Sequence, residues 1–524
     1  MKAFTAAYLA YLLGFASAKV VKYEWELSYR TISPNGVSKR MALVNNQFPG
    51  PTMRASLGDQ VQVTLTNNLP DNGTSIHFHG INQLGTPWAD GVPAINQCPI
   101  PANGGNFTYT FTPDEAGTSF WHSHYGPQYP LGVVGPTIID DPSEPYKYDD
   151  EYVVVVTDHF NISDWTLLAI DRTPGFVGNT GIPPRPPAPD SVLICAGTGG
   201  CNTKSQPSFQ FTPGKTYRLR IINMSAFVGF HFSIDEHPLQ LIGSDFAALD
   251  GKTSVEQLPI WPAQRYDVLV QAKTNFTDNV WMRSVTQNAC YPIQNPKLEL
   301  ETRALVNYEG VSASKVPSSQ PFADPKANDC RDLDLSQIKP REVEDAVETP
   351  DTTIFLAVGL YNNATARQIQ GVVNNSSYPA YDVNAKPTLF DIKDGVDVAA
   401  LPTSRNAYAL HNGTIRVVLN TTLGPGAHPY HLHGHTFQVL GYLNGTYHGN
   451  DGLDLVNPTR RDTMMVPVNA TAVFQFKTNN PGVQFFHCHM EFHLNEGLAS
   501  QFVELPDEIR KLKIPADARN LCPK

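Results

Sequence analysis

Beyond residue 18 the sequence has no apolar run approaching the ~20 residues that span a bilayer, so no membrane-crossing helix is expected there. It has no basic run either. Its 38 Lys and Arg stand against 49 Asp and Glu, a formal net charge of −11, so nucleic-acid binding has no electrostatic support. Helical periodicity is scarce. What recurs instead is strand-like alternation, in Gln60-Val-Gln-Val-Thr-Leu-Thr and Tyr217-Arg-Leu-Arg-Ile, with Thr414-Ile-Arg-Val-Val-Leu-Asn similarly strand-rich. Each follows a turn signal: Leu57-Gly58-Asp59, Pro213-Gly214-Lys215 or Asn412-Gly413. With 43 prolines and 38 glycines punctuating the chain, the expectation is an all-β protein of short strands. Cysteine is also sparse: of seven, six can pair and one is left over.

Residues 1–18 read as a secretory signal peptide, with a basic start, an apolar run from Phe4 to Phe15 and the small-residue end Ala16-Ser17-Ala18. Twelve Asn-x-Ser/Thr sequons between Asn72 and Asn469 agree with a secreted glycoprotein. Secretion in turn permits disulfides. A chain of 524 residues exceeds one hydrophobic core, and domains of roughly 100–200 residues predict about three.

Ten histidines and one cysteine fall in four short clusters: His77-Phe-His79, His122-Ser-His124, His428-Pro-Tyr-His431-Leu-His433, and His487-Cys488-His489 followed by His493. Each cluster contains histidines at i, i+2, which an extended strand presents on one face. A lone pair of this kind is commonplace; four in one chain point to metal. A thiolate with two imidazoles is the ligand set of a blue-copper electron-transfer centre, here Cys488, His493 and the distant His428. Cys488 is therefore the cysteine expected to stay unpaired.

The clusters also define a repeat. About ten residues after each of the three strands comes His77-Phe-His79, Phe230-His231-Phe232 or His428-Pro-Tyr-His431. The later part of the second copy, Gln264 to Cys290, has no histidine, so the middle unit reads as a spacer. Expected boundaries are 19–145, 146–315, a linker at 316–350, and 351–524. His435 lies beside a ligand cluster and is a candidate for supporting it. His159, His231, His237, His411 and His448 are expected to be structural.

These clusters, together with Gly85-Thr-Pro-Trp-Ala-Asp-Gly-Val-Pro-Ala-Ile-Asn-Gln-Cys-Pro-Ile and Arg460-Arg461-Asp462, resemble the multicopper oxidases, most closely the fungal laccases. The resemblance runs from about Lys22 to the C-terminus. It implies three consecutive cupredoxin-like Greek-key β-sandwich domains and four copper ions. Beside the blue (type 1) site, it places type 2 copper on His77 and His431. One type 3 copper goes to His79, His122 and His489, the other to His124, His433 and His487. It implies electron entry at His493, and proton delivery to dioxygen by Asp90 and Glu491. It places Leu498 where some relatives have an axial methionine, and Phe227 where some laccases have a cleft carboxylate. It favours a Cys98–Cys522 bridge; Cys290–Cys330 and Cys195–Cys201 complete one of fifteen possible connectivities.

The implied activity is oxidation of small phenolic or aromatic donors, a pigment precursor among them, coupled to reduction of dioxygen to water by a secreted monomer, with cell-wall association open. A secreted ferroxidase of the same fold remains an alternative, although the position aligned with its key acid is Gln210. Ascorbate oxidation is disfavoured by the missing axial methionine. A copper-binding cell-wall protein without activity is the remaining alternative.

Overall fold

The computed structural model describes residues 18–523 except 163–187, 198–199, 202–207, 292–294, 324–329, 364–367, 381 and 422–425. Most of the expected signal peptide and part of the expected linker therefore lie outside the described residues.

Among the described residues the strands assort into six sheets, two for each of three successive stretches of chain. In the first stretch Gln60–Asn67 runs parallel to Val20–Ile32 and antiparallel to Gly105–Phe111. Its alternation puts Val61, Val63 and Leu65 wholly inside, as a period of two requires. The facing sheet contains Met53–Ser56, Val134–Asp140, Gly117–Ser123 and Ile76–Phe78. Trp121, from the strand that also holds His122, packs 4.5 Å from Trp25 across the sandwich. Gly135 makes room for it, because a Cβ there would lie 2.5 Å from the indole. Truncating so large a core side chain costs about 3–5 kcal/mol.

The second stretch pairs a seven-stranded with a five-stranded sheet, and the third a six-stranded with a five-stranded one. The expected strands appear as Thr216–Asn223 and Thr414–Asn420, each antiparallel to a long neighbour, Arg265–Gln271 and Thr471–Lys477. The described part of the expected linker is packed rather than free. Ile338 is fully buried, the Trp261 indole donates to the Arg331 carbonyl, and the Tyr442 hydroxyl donates to Asp332. This segment straps the second unit to the third.

Three disulfides join Cys98 to Cys522, Cys195 to Cys201 and Cys290 to Cys330, leaving Cys488 free and buried. One sequon is structural: Asn223 is fully buried and its amide donates to the carbonyls of Val228 and Ile260. A sugar cannot be attached there without breaking that loop.

Candidate metal centre

Strand register brings the clusters together. In the first unit His77 lies opposite His122, and in the third His431 lies opposite His487 with Tyr430 opposite Cys488. Successive residues of a strand face opposite sides, so Cys488 points away from His487 and His489. The chain then turns into the short helix Glu491–Glu496, which brings His493 back toward the cysteine. Gly497 ends that helix at φ 115, a conformation that favours glycine, and a Cβ there would meet Ser377 Oγ at 2.2 Å.

Donor atoms converge in groups. His428, Cys488 and His493 form a triangle with Sγ 3.6 Å from each Nδ1 and 3.1 Å between the two nitrogens. Bonds of about 2 Å to one ion place donors about 3.5 Å apart in a plane, so this triangle has the size of a three-coordinate site. His79, His122 and His489 form a second group, His124, His433 and His487 a third, and His77, His79 and His431 a fourth, each with donors within 4.8 Å of one another. The last three groups draw on the first and third units at once, so the cluster lies in their interface.

Hydrogen bonds fix which ring nitrogen faces inward. The Nδ1–H groups of His77, His122, His431 and His487 donate to the backbone carbonyls of Asp90, Ser123, Asp462 and Cys488 at 2.8–3.0 Å. His433 Nδ1 donates to Asp90 Oδ2 at 3.0 Å. The opposite Nε2 atoms of His77, His122 and His431 are buried with no hydrogen-bond partner, as are His124 Nε2 and both nitrogens of His489. Buried polar atoms of this kind are costly to leave unpaired, and aligned lone pairs with the far N–H anchored are what a metal ion requires. His433 Nε2 and His487 Nε2 meet at 3.1 Å, although each has its proton on the other side, a contact that a shared cation resolves.

Burial enforces neutral imidazoles. Desolvation holds His79, His122, His124, His431, His433, His489 and His493 well below the usual histidine range, aided in each by neighbouring imidazoles. Burial alone takes His428 to about 4, and burial takes His487 to about 3. The same desolvation pushes the Cys488 thiol far up, so metal binding at this residue must release a proton. The donor set, its protonation and its orphaned atoms all fit copper.

Models of the multicopper oxidase family match residues 26–144, 150–310 and 380–508 in succession. This chain is a multicopper oxidase. It is 32% identical over 529 residues to Laccase-1 of Cryptococcus neoformans var. neoformans, covering 96% of this chain and 83% of that one. It is 30% identical over 532 residues to the iron transport multicopper oxidase fetC of Epichloe festucae, covering 98% and 81%. The crystal structure of the laccase from Botrytis aclada superposes with a TM-score of 0.83 at 30% identity, covering 96% of this chain and 90% of that one. The three units of this multicopper oxidase thus have the cupredoxin fold, and membership of the family implies copper cofactors.

The remaining candidates divide. Asp90 sits among the clustered histidines, with Oδ1 3.1 Å from His77 Nδ1. Glu491 lines a small cavity that also reaches His124. His435 is not in the cluster; it bonds Glu504 at 2.6 Å, whose other oxygen accepts the Asn480 backbone N–H. Phe227 lies against His493, rings 5.9 Å apart and edge to face. Gln210 is elsewhere, on the exposed edge strand Ser208–Phe211 with its carbonyl accepting from Tyr152. Sequence reasoning also missed Arg265 and Asp245. Their signal was an arginine opening the largely buried strand Arg265–Gln271, and an aspartate directly after the strand Leu239–Ser244.

Proposed function

We propose that this multicopper oxidase is a laccase, oxidising small phenolic or aromatic donors and reducing dioxygen to water. In this reading residues 19–145, 146–315 and 351–524 are the mature domains of a secreted, glycosylated monomer released by removal of residues 1–18. His428, Cys488 and His493 hold the blue copper, His77 and His431 the type 2 copper, and the other six histidines the type 3 pair. Copper so held supplies one-electron oxidation at the thiolate site and four-electron reduction of dioxygen at the histidine cluster.

The observation that carries the reading is the apolar wall at His493. Phe227 stands edge-on to the imidazole and packs on Phe492 and Tyr291, with ring centroids 5.8 and 5.0 Å away. An aromatic donor gains contact with such a wall, whereas hydrated Fe(II) needs oxygen ligands. Asp158, behind the wall, is turned inward and accepts the N–H groups of Ala226, Phe227 and Val228. From the donor side the route inward is short: Cys488 is covalently joined to both His487 and His489, one for each type 3 group. Asp90, bonded to His433, and Glu491, on the cavity reaching His124, hold and pass protons to the reduced oxygen.

The test compares kcat/KM for a simple methoxyphenol and for Fe(II) on one copper-loaded preparation. The phenol should be preferred by at least about tenfold, or about 1.4 kcal/mol in transition-state stabilisation. A strong preference for Fe(II) would make the enzyme an iron oxidase instead, the reading that its similarity to the Epichloe protein favours.

A further inference from the structure

Among the described residues the middle unit supplies no donor atom to the clusters, yet two of its buried ionic side chains reach them. Arg265 opens the strand Arg265–Gln271 and is fully buried. Its Nη1 and Nη2 donate to Asp462 Oδ1 and Oδ2 at 2.7 and 2.6 Å, a two-pronged pair that only a guanidinium forms. Asp245 of the same unit accepts the Arg265 backbone N–H at 3.0 Å and those of Asp462 and Thr463 at 3.2 and 3.3 Å. Asp462 is therefore held by carboxylate and backbone together.

Asp462 in turn grips two histidines from different units. Its Oδ1 accepts His79 Nε2–H at 3.1 Å, and its carbonyl accepts His431 Nδ1–H at 2.8 Å. His79 is thereby set apart from the rings anchored through Nδ1. Its Nε2 is engaged, and Nδ1, buried without a hydrogen-bond partner, faces the cluster. The fit is tight: a Cβ on Gly80 would lie 2.6 Å from Asp462 Oδ2 and 2.8 Å from Phe246.

We infer that Arg265 and Asp245 are positioning residues for the histidine cluster, so that the unit without ligands sets the tautomer and direction of His79 and His431 through Asp462. Outer partners of metal-bound histidines typically govern affinity by roughly 10–100-fold. The unit read from sequence as a spacer is thus the third wall of the centre. The inference rests on the histidines holding copper as proposed, and is independent of which donor is oxidised.

Arg265→Lys tests it by keeping the charge and losing the fork. Arg283→Lys is the matched control, since Arg283 makes a similar buried fork to Asp235, at 2.7 and 2.7 Å, in the same unit. Copper per chain and blue absorbance per chain are followed during dialysis against a graded chelator. Arg265→Lys should lose cluster copper at roughly 10–100-fold lower chelator concentration while the blue absorbance persists, and Arg283→Lys should track the unmodified protein. Wild-type retention in Arg265→Lys, or parallel loss of both kinds of copper in both variants, overturns the inference. If Arg265→Lys does not fold, Arg265→Gln/Asp462→Asn replaces the buried ion pair by a neutral one. The same selective loss is expected of it, and wild-type retention again overturns the inference. An unmodified protein without cluster copper would instead refute the ligand assignment.

Discussion

The second and third units hold the same strand frame with opposite contents. In the third, Tyr430, His431 and Leu432 lie opposite Cys488, His487 and Phe486; in the second, Phe230, His231 and Phe232 lie opposite Thr286, Val285 and Ser284. Even the next backbone bond is repeated, from His489 N–H to Pro429 at 2.6 Å and from Gln287 N–H to Gly229 at 3.0 Å. The triplet His-Cys-His in one frame is Val-Thr-Gln in the other. His231 survives in the blank copy, but it faces valine and lines a cavity with Pro259 and Leu333. The same frame is therefore built around histidines in one unit and around valine, threonine and glutamine in the other, so the donor set differs through side chains at a few register positions.

Cys488→Ser breaks the comparison most severely. It should abolish the blue absorbance and reduce donor oxidation to background while copper remains on the histidine cluster, as absorbance and copper analysis together would register. A Cys488→Ser protein that stayed blue would place the thiolate centre elsewhere.

A smaller effect is expected of Leu498→Met. Leu498 is fully buried in the apolar cluster that contains Cys488, its carbonyl accepting the Cys488 N–H at 3.1 Å. A thioether there adds an electron donor and should lower the blue-site potential by about 59 mV, tenfold in the one-electron equilibrium. An unchanged or higher potential in a redox titration would mean that residue 498 does not face the metal.

Thr286→Cys should do least. It puts a thiol at the register position of Cys488 in the blank unit, where the neighbours are Val285 and Gln287 rather than histidines. Stability should change by less than about 1.5 kcal/mol in chemical denaturation, as for a volume-conserving swap. No blue band should appear on adding Cu(II). A blue product would show that the frame, rather than its side chains, makes the site.

Much of this was legible in the sequence because strand periodicity is local. The i, i+2 spacing of His77 and His79, or of His487 and His489, shows which face each ring takes without knowledge of its partner. The grip of Arg265 on Asp462 spans 197 residues and follows no spacing rule. Arg460-Arg461-Asp462 was visible only as a family likeness; that Asp462 faces the cluster while Arg461 pairs with Asp245 and Asp332 depends on how three units dock. Phe227 could be singled out because it lies just past a clear strand, Thr216–Asn223, and its ring does lie against His493. The acidic stretch before residue 350 read as a linker because its composition resembles one; the contacts of Asp332 and Ile338 show it to be a strap.

The Cys98–Cys522 bridge ties residues 424 positions apart, joining the first unit to the tail that follows the third. Those are the two units whose interface holds the histidine cluster. The halves of the cluster are thus tethered covalently as well as through the middle unit, and meet at a high effective concentration whatever the metal content. Stripping the metal then separates neither half from the other, and reassembly becomes an intramolecular event set by local side-chain order rather than by the encounter of two domains.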